Sequence, residues 1–211
     1  AYKGAWTEEN ISKNRDIAYA MAKANTEKMI YKIAESDGNF EAISINPLHV
    51  VGPLMTENHN QFFSWQFFIW QLLQGNNFGV LDGKQLRGDR MLWNLVDVRD
   101  VASAHILAMK NDSSNGERFA LAEKDLWYKD IAKLLRENGF DKAPTFAVPV
   151  WLAKIMANFN KQLKVTSPFL GRVRSVTKTT KAKDILGWNP RTSEESILEI
   201  ANQIKEMGLI K

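Results

Sequence analysis

Tyr19-Ala-Met-Ala-Lys23, with Glu27 four residues further on, lies in an apolar helical run that begins near Ile17. The residues after this run decide the fold. Asp37-Gly38-Asn39 is a stop signal, Gly38 being free to take the left-handed conformation that ends a helix. Phe40-Glu-Ala-Ile-Ser-Ile-Asn46 then reads as a short strand rich in isoleucine and closed by Pro47. A helix from about Asp16, its N-cap, to about Ser36, with a strand directly after it, is half of an α/β unit.

Tyr19 and Lys23 are four apart, so on a helix their side chains stack on one face with the ammonium near the phenol. A cation beside a phenol favours the phenolate, which suits a tyrosine that gives or takes a proton near neutral pH. At helical spacing this face continues through Thr26 and Ile30 to Ile33 and Ala34, with Asn25, Lys28 and Lys32 opposite. Lys23 is therefore expected on the inward side. The spacing alone is also that of an amphipathic helix with a snorkelling lysine.

Outward from this helix, the composition is that of an ordinary globular chain: 211 residues, 45% hydrophobic and 25% charged. The net charge is +4 and the pI about 9.2, but Lys and Arg are scattered rather than gathered in a stripe, which argues against nucleic acid as a partner. With no cysteine there is no disulfide framework, thiolate metal site or cysteine nucleophile. No run of eighteen apolar residues exists, so no membrane span is expected. Ala1 to Asn10 is polar and unlike a signal peptide, and the location expected is cytoplasmic. The chain opens without methionine in what reads as a loop, and the expectation is that its true N-terminus lies upstream.

Asn46-Pro47-Leu48-His49-Val50-Val51-Gly52-Pro53 reads as a strand end running into a constrained loop, where a ligand of an open α/β sheet would be met. His49 is a candidate ligand or base, although no second His or carboxylate stands at metal-ligand spacing. Gln61 to Gln74 is an all-round apolar helix with Phe62 and Trp65 on it, to be buried as core or to wall a hydrophobic substrate. Gly75 to Asp89 reads as a loop and Met91 to Val98 as a strand. Asp100 is the expected N-cap of a helix from Val101 to about Lys110 that turns Val101, Ala104, His105, Ala108 and Met109 to the core. Arg118 to Leu121 is an expected strand and Asp125 to Asn138 a helix stopped by Gly139. Pro149 opens a helix with Trp151, Leu152, Ile155, Met156 and Phe159 inward. Thr179 to Leu186 is a short helix ended by Gly187, and Thr192-Ser-Glu-Glu195 is a capping box before a helix that buries Ile197, Ile200, Ala201 and Ile204.

Taken in order, Tyr19-x-x-x-Lys23-x-x-x-Glu27, Asn46-Pro47 with Gly52-Pro53, Leu95-Val-Asp-Val-Arg-Asp-Val-Ala102 and Leu186-Gly-Trp188-x-Pro190-Arg191 resemble the extended short-chain dehydrogenase/reductases. Within these the chain is most similar to the dihydroflavonol reductase and cinnamoyl-CoA reductase branch. The resemblance implies an α/β fold: the C-terminal part of a Rossmann-type parallel sheet plus a small mixed α/β substrate-binding domain. Residues 1–60 would be the last elements of the nucleotide-binding domain with the catalytic helix, and 61–211 the substrate-binding part, with 90–110 returning to the nucleotide-binding sheet.

The resemblance further implies reduction of an aldehyde, ketone or aryl thioester by NADP or NAD, NADP favoured, without a metal. Tyr19 would protonate the carbonyl oxygen, Lys23 would assist it and hold the nicotinamide ribose, and Pro47, Leu48, His49 and Val50 would lie against the nicotinamide. Phe62, Trp65 and Trp151 are candidate substrate walls. The partner implied is a small-molecule carbonyl compound, with a homodimer as the candidate assembly. A sugar-nucleotide epimerase or dehydratase on the same scaffold is the alternative, and a non-catalytic interaction module the reading for the isolated chain. Two family features are not found in the sequence, the G-x-G-x-x-G turn that cradles phosphate and a Ser or Thr upstream of the tyrosine, and the chain is accordingly expected to be the C-terminal part of a longer enzyme.

Overall fold

The structure, a computed structural model, describes residues 15–54, 65–75, 92–144, 150–156, 158–159 and 178–210. In chain order the elements are α1 (Arg15–Asp37), β1 (Ser44–Pro47), β2 (His49–Val51), α2 (Trp65–Leu73), β3 (Leu92–Asp97), α3 (Val98–Met109), β4 (Arg118–Leu121), β5 (Lys124–Trp127), α4 (Tyr128–Glu137), α5 (Val150–Met156), α6 (Thr180–Leu186) and α7 (Ser193–Glu206). β1 pairs in parallel with β4, Ser44 opposite Arg118 and Pro47 opposite Leu121. β2 pairs in parallel with β3, His49 opposite Leu95, and β3 pairs antiparallel with β5. This is an α/β architecture with parallel strands, as the sequence leads one to expect.

Two apolar clusters hold it together. The larger joins β2, β3 and β5 to α2, α4 and α7 through Val51, Ile69, Leu72, Leu95, Ile131, Leu135, Ile197, Ile200 and Ile204 among others. Each fully buried aliphatic side chain contributes about 1.5–3 kcal/mol relative to exposure. The second joins β1 and β4 to α3 and α6 through Phe119, Leu121, Val96, Ala104, Ala108, Leu186 and Trp188. Small residues at 104 and 108 let α3 lie close against this sheet, while the Trp188 indole N–H donates to the Asp100 carbonyl at 2.9 Å and so needs no water.

Several boundaries differ from the expectation, each for a local reason. Val50-Val51, read as loop, forms β2, because β-branched residues there find a parallel partner in Val96-Asp97. Asp97, not Asp100, caps α3: its carboxylate accepts the Arg99 backbone N–H at 2.8 Å, and the helix starts three residues early. Lys124-Asp-Leu-Trp127 is a strand rather than the start of a helix, held by its antiparallel ladder to β3. α1 is already helical at Arg15, the first described residue, so Asp16 stands within the helix and not before it. On α3, His105 is exposed and bonds back to the Val101 carbonyl at 2.8 Å, and Met109 is exposed too; only Ala104 and Ala108 of that stripe are buried. α5 does not turn its apolar stripe inward either: Trp151, Ile155 and Met156 are exposed, as is Phe159 just beyond. The caps of the last two helices agree with the sequence. Gly187 ends α6 at φ 65°, and Thr192 and Glu195 form a complete capping box before α7.

Candidate active site

The helix that carries Tyr19 and Lys23 is tied to the sheet by two side chains. The Tyr31 hydroxyl donates to the Glu117 carbonyl at 2.7 Å, immediately before β4. One turn nearer the helix start, Glu27 receives Arg118 Nε at 2.6 Å on one oxygen and an Arg118 terminal nitrogen at 2.9 Å on the other, and Asn46 of β1 donates to it at 3.4 Å. The Arg118 guanidinium bound to it holds the Glu27 carboxyl below the usual carboxylate range, against the opposing effect of burial.

Because Tyr31 meets the residue before β4 and Glu27 meets residues within β1 and β4, α1 runs antiparallel to both strands. Lys23 and Tyr19 lie one and two turns further back, about 6 and 12 Å along the helix axis. That direction leads to the carboxyl ends of the strands, where ligands of open α/β sheets bind.

The face of α1 differs from the expectation. Ala18, Met21, Ala24, Glu27, Tyr31 and Ala34 are the half-buried positions, whereas Lys23 and Thr26 are exposed and Tyr19 is 65% exposed. Lys23 is therefore not on the inward side. The directional bonds of Glu27 and Tyr31 fix the rotation of the helix, and the stripe through Ile30 and Ile33 is left outside. Tyr19 and Lys23 still share one face, and that face is open. Among the described residues no carboxylate forms an ion pair with Lys23.

At the carboxyl end of β1, Pro47 is the last strand residue and Leu48 continues the ladder by donating its N–H to the Leu121 carbonyl at 3.1 Å. His49 then opens β2. Its ring packs edge-on against Trp93 with centroids 5.0 Å apart, and its Nδ1 lies 3.3 Å from the Asn94 carbonyl oxygen, which can only accept. Val50 is partly buried against the cluster that contains Phe119 and Leu121. Pro47, His49 and Val50 are thus held in consecutive strands, with Leu48 at the bend between them. Of the candidate walls, Trp151 is exposed, Phe62 lies outside the described residues, and nothing is described of the Trp65 side chain.

Behind β2 the backbone is locked. Gly52 sits at φ 129°, and a Cβ there would meet Val98 Cγ1 at 2.7 Å and Asp97 Oδ1 at 3.2 Å, so this turn needs glycine. Asp97, its side chain fully buried, accepts from Arg99, Arg191 and the Ser196 hydroxyl, and Arg99 reaches on to Glu199. Burial raises the Asp97 pKa, but these donors outweigh it and hold the carboxyl below its ordinary value; Asp100, with fewer donors, is raised by burial. The network joins β3 and α3 to the start of α7 and is structural. Among the described residues no group of three His, Asp or Glu is arranged to hold a metal ion, and no helix is long and apolar enough to cross a membrane.

Comparison with known proteins adds the lineage. The NAD dependent epimerase/dehydratase family matches residues 4–122. A cinnamoyl-CoA reductase of Medicago truncatula is 29% identical over 132 residues, which is 63% of this chain and 36% of the relative. An NADPH-dependent methylglyoxal reductase of Saccharomyces cerevisiae is 25% identical over 199 residues, 89% of this chain and 50% of the relative. Among solved structures, the yeast methylglyoxal/isovaleraldehyde reductase complexed with NADPH superposes with a TM-score of 0.66 at 23% identity, covering 97% of this chain and 56% of the other. The likeness to that structure is one of fold. The chain spans about half the length, or less, of the curated relatives it matches.

Proposed function

Because the chain belongs to the NAD dependent epimerase/dehydratase family, we propose that the enzyme it represents is an NADP(H)-dependent carbonyl reductase in which Tyr19 is the general acid. The observation that carries this reading is geometric: Tyr19 and Lys23 lie on one open face of α1, on the part of the helix directed toward the carboxyl ends of β1 and β4. An ammonium and a phenol so exposed are free to meet a carbonyl oxygen and vicinal ribose hydroxyls. The names of the relatives, NADPH-dependent methylglyoxal reductase and cinnamoyl-CoA reductase, support the cofactor and the substrate class.

A bound NADPH would supply the hydride. The work of the chain itself is to position and to move a proton. The Tyr19 hydroxyl gives its proton to the substrate carbonyl oxygen as negative charge develops there, and the Lys23 ammonium four residues on stabilises the phenolate left behind. Proton transfer of this kind is worth ~10²–10⁴-fold. Pro47 to Val50, at the end of β1, the bend after it and the start of β2, present an edge for the nicotinamide, with the His49 ring held by Trp93 and Asn94. In this reading residues 1–60 close the nucleotide-binding domain, 61–211 form the substrate-binding part, and 90–110 return to the nucleotide-binding sheet. The packing of α3 in the cluster with Phe119 and Leu121 supports the last point for the helix, while β3 pairs with β2 and β5.

The family description also includes epimerases and dehydratases, in which the same pair would act on a sugar nucleotide. The two readings separate in one assay of the full-length protein. NADPH consumption with an aldehyde, a ketone or an aryl thioester supports the reductase. Turnover of a UDP-sugar with no consumption of NADPH by any carbonyl compound overturns it.

A further inference from the structure

Lys23 has two neighbours at helical spacing, Tyr19 one turn before it and Glu27 one turn after it. Were both unpaired, the carboxylate would be the stronger competitor for the ammonium, since a charge pair outweighs an ammonium–phenol contact. Yet Glu27 does not compete. Both of its oxygens are taken by the Arg118 guanidinium, at 2.6 and 2.9 Å, and Asn46 donates to one of them. The carboxylate is largely buried, with 18% of the Glu27 side chain exposed.

We propose that Arg118, the first residue of β4, is a positioning residue for the Tyr19–Lys23 pair: by sequestering the Glu27 carboxylate against the sheet it leaves the Lys23 ammonium to the tyrosine. This rests on the reading of Tyr19 and Lys23 as the acid pair. The planar fork of arginine matters, because it occupies both carboxylate oxygens, where a lysine would hold one and leave the other to Lys23. The helix itself has a second anchor one turn on, the Tyr31 hydroxyl on the Glu117 carbonyl. Loss of Arg118 should therefore release the carboxylate rather than undock the helix.

The proposal separates from a merely stabilising ion pair by a double-variant comparison. Arg118→Ala, Glu27→Gln and the combined variant each break the pair, and each should lower the melting temperature. Only Arg118→Ala leaves a free carboxylate beside Lys23. In NADPH-dependent carbonyl reduction by the full-length protein, Arg118→Ala should lose about tenfold in kcat with little change in KM, a part of the ~10²–10⁴-fold that an acid supplies. Glu27→Gln and the combined variant should stay within about threefold of the parent, the single-variant effects being strongly non-additive. A combined variant as impaired as Arg118→Ala overturns the proposal.

A second arm needs no activity. Zero-length carbodiimide coupling of the 211-residue chain, read by peptide mass, should give a Lys23–Glu27 amide in Arg118→Ala well above its level in the parent. No increase overturns the proposal. Tyr19→Phe, assayed alongside, tests the acid-pair reading separately: retained reduction in that variant removes the reading, while the coupling arm still decides whether Arg118 restrains Glu27.

Discussion

Asp97 shows how one residue can do several jobs at once. Its fully buried carboxylate caps α3, accepts from Arg99 and Arg191, and receives the Ser196 hydroxyl. Truncating it removes a buried acceptor from Arg99, Arg191 and Ser196, each of which keeps a second partner in Glu199, Asp100 and the Thr192 carbonyl, so Asp97→Ala should cost about 1.5–3 kcal/mol of unfolding free energy by denaturant titration. The cost should depend on pH with a definite sign. A carboxyl whose folded pKa is depressed contributes stability above its ordinary pKa and loses it as pH falls through the folded value. The difference between the parent and Asp97→Ala should therefore be full at neutral pH and shrink at pH below the ordinary carboxylate range. Asp100, raised by burial, acts in the opposite sense: its charged form costs stability, and its protonation on acidification relieves that cost. The sequence reading puts the cap at Asp100, and the structure puts it at Asp97. That choice is made by Arg191, 91 positions away, whose backbone N–H donates to the Asp100 carboxylate at 3.0 Å and occupies it elsewhere.

Among the elements, those whose ends are fixed by local chemistry are legible in the sequence, and those completed by distant partners are not. The capping box of α7 is contained in four consecutive residues, Thr192 to Glu195, and the side chain of each end bonds the backbone of the other. Thr192→Ala should cost about 1 kcal/mol, read as a fall in melting temperature, with α7 otherwise intact. Gly187 and the apolar stripe of α7 are equally local. β5 is not, because Lys124-Asp-Leu-Trp127 carries weak strand preference of its own and is a strand only by pairing with β3. α1 lies between these cases. Its existence and its Tyr19 and Lys23 spacing are plain, but its apolar stripe points to the wrong rotation, since the contacts that set it, Tyr31 to Glu117 and Glu27 to Arg118, join residues 86 and 91 positions apart. No periodicity within the helix reports on them, and for the same reason nothing in the sequence points to Arg118.

At the scale of the whole molecule, two apolar clusters divide the labour. The cluster around β1 and β4 presents α1 and the Pro47 turn, and the cluster around β2, β3 and β5 gathers α2, α4 and α7. The chain passing from β1 to β2 joins them, and Gly52 with the Asp97 network locks the junction. On this frame Tyr19 and Lys23 stand toward the carboxyl end of the parallel strands, on a face left open by the described residues. We read this open pair as the acid of a carbonyl reductase, and the sharpest test compares the full-length protein with its Tyr19→Phe variant in NADPH-dependent reduction of an aldehyde. Because Tyr19 is exposed, the substitution should leave the unfolding free energy within about 0.5 kcal/mol of the parent. The expected result is a loss of kcat of ~10²-fold or more with folding unchanged. Full activity in the phenylalanine variant would contradict it.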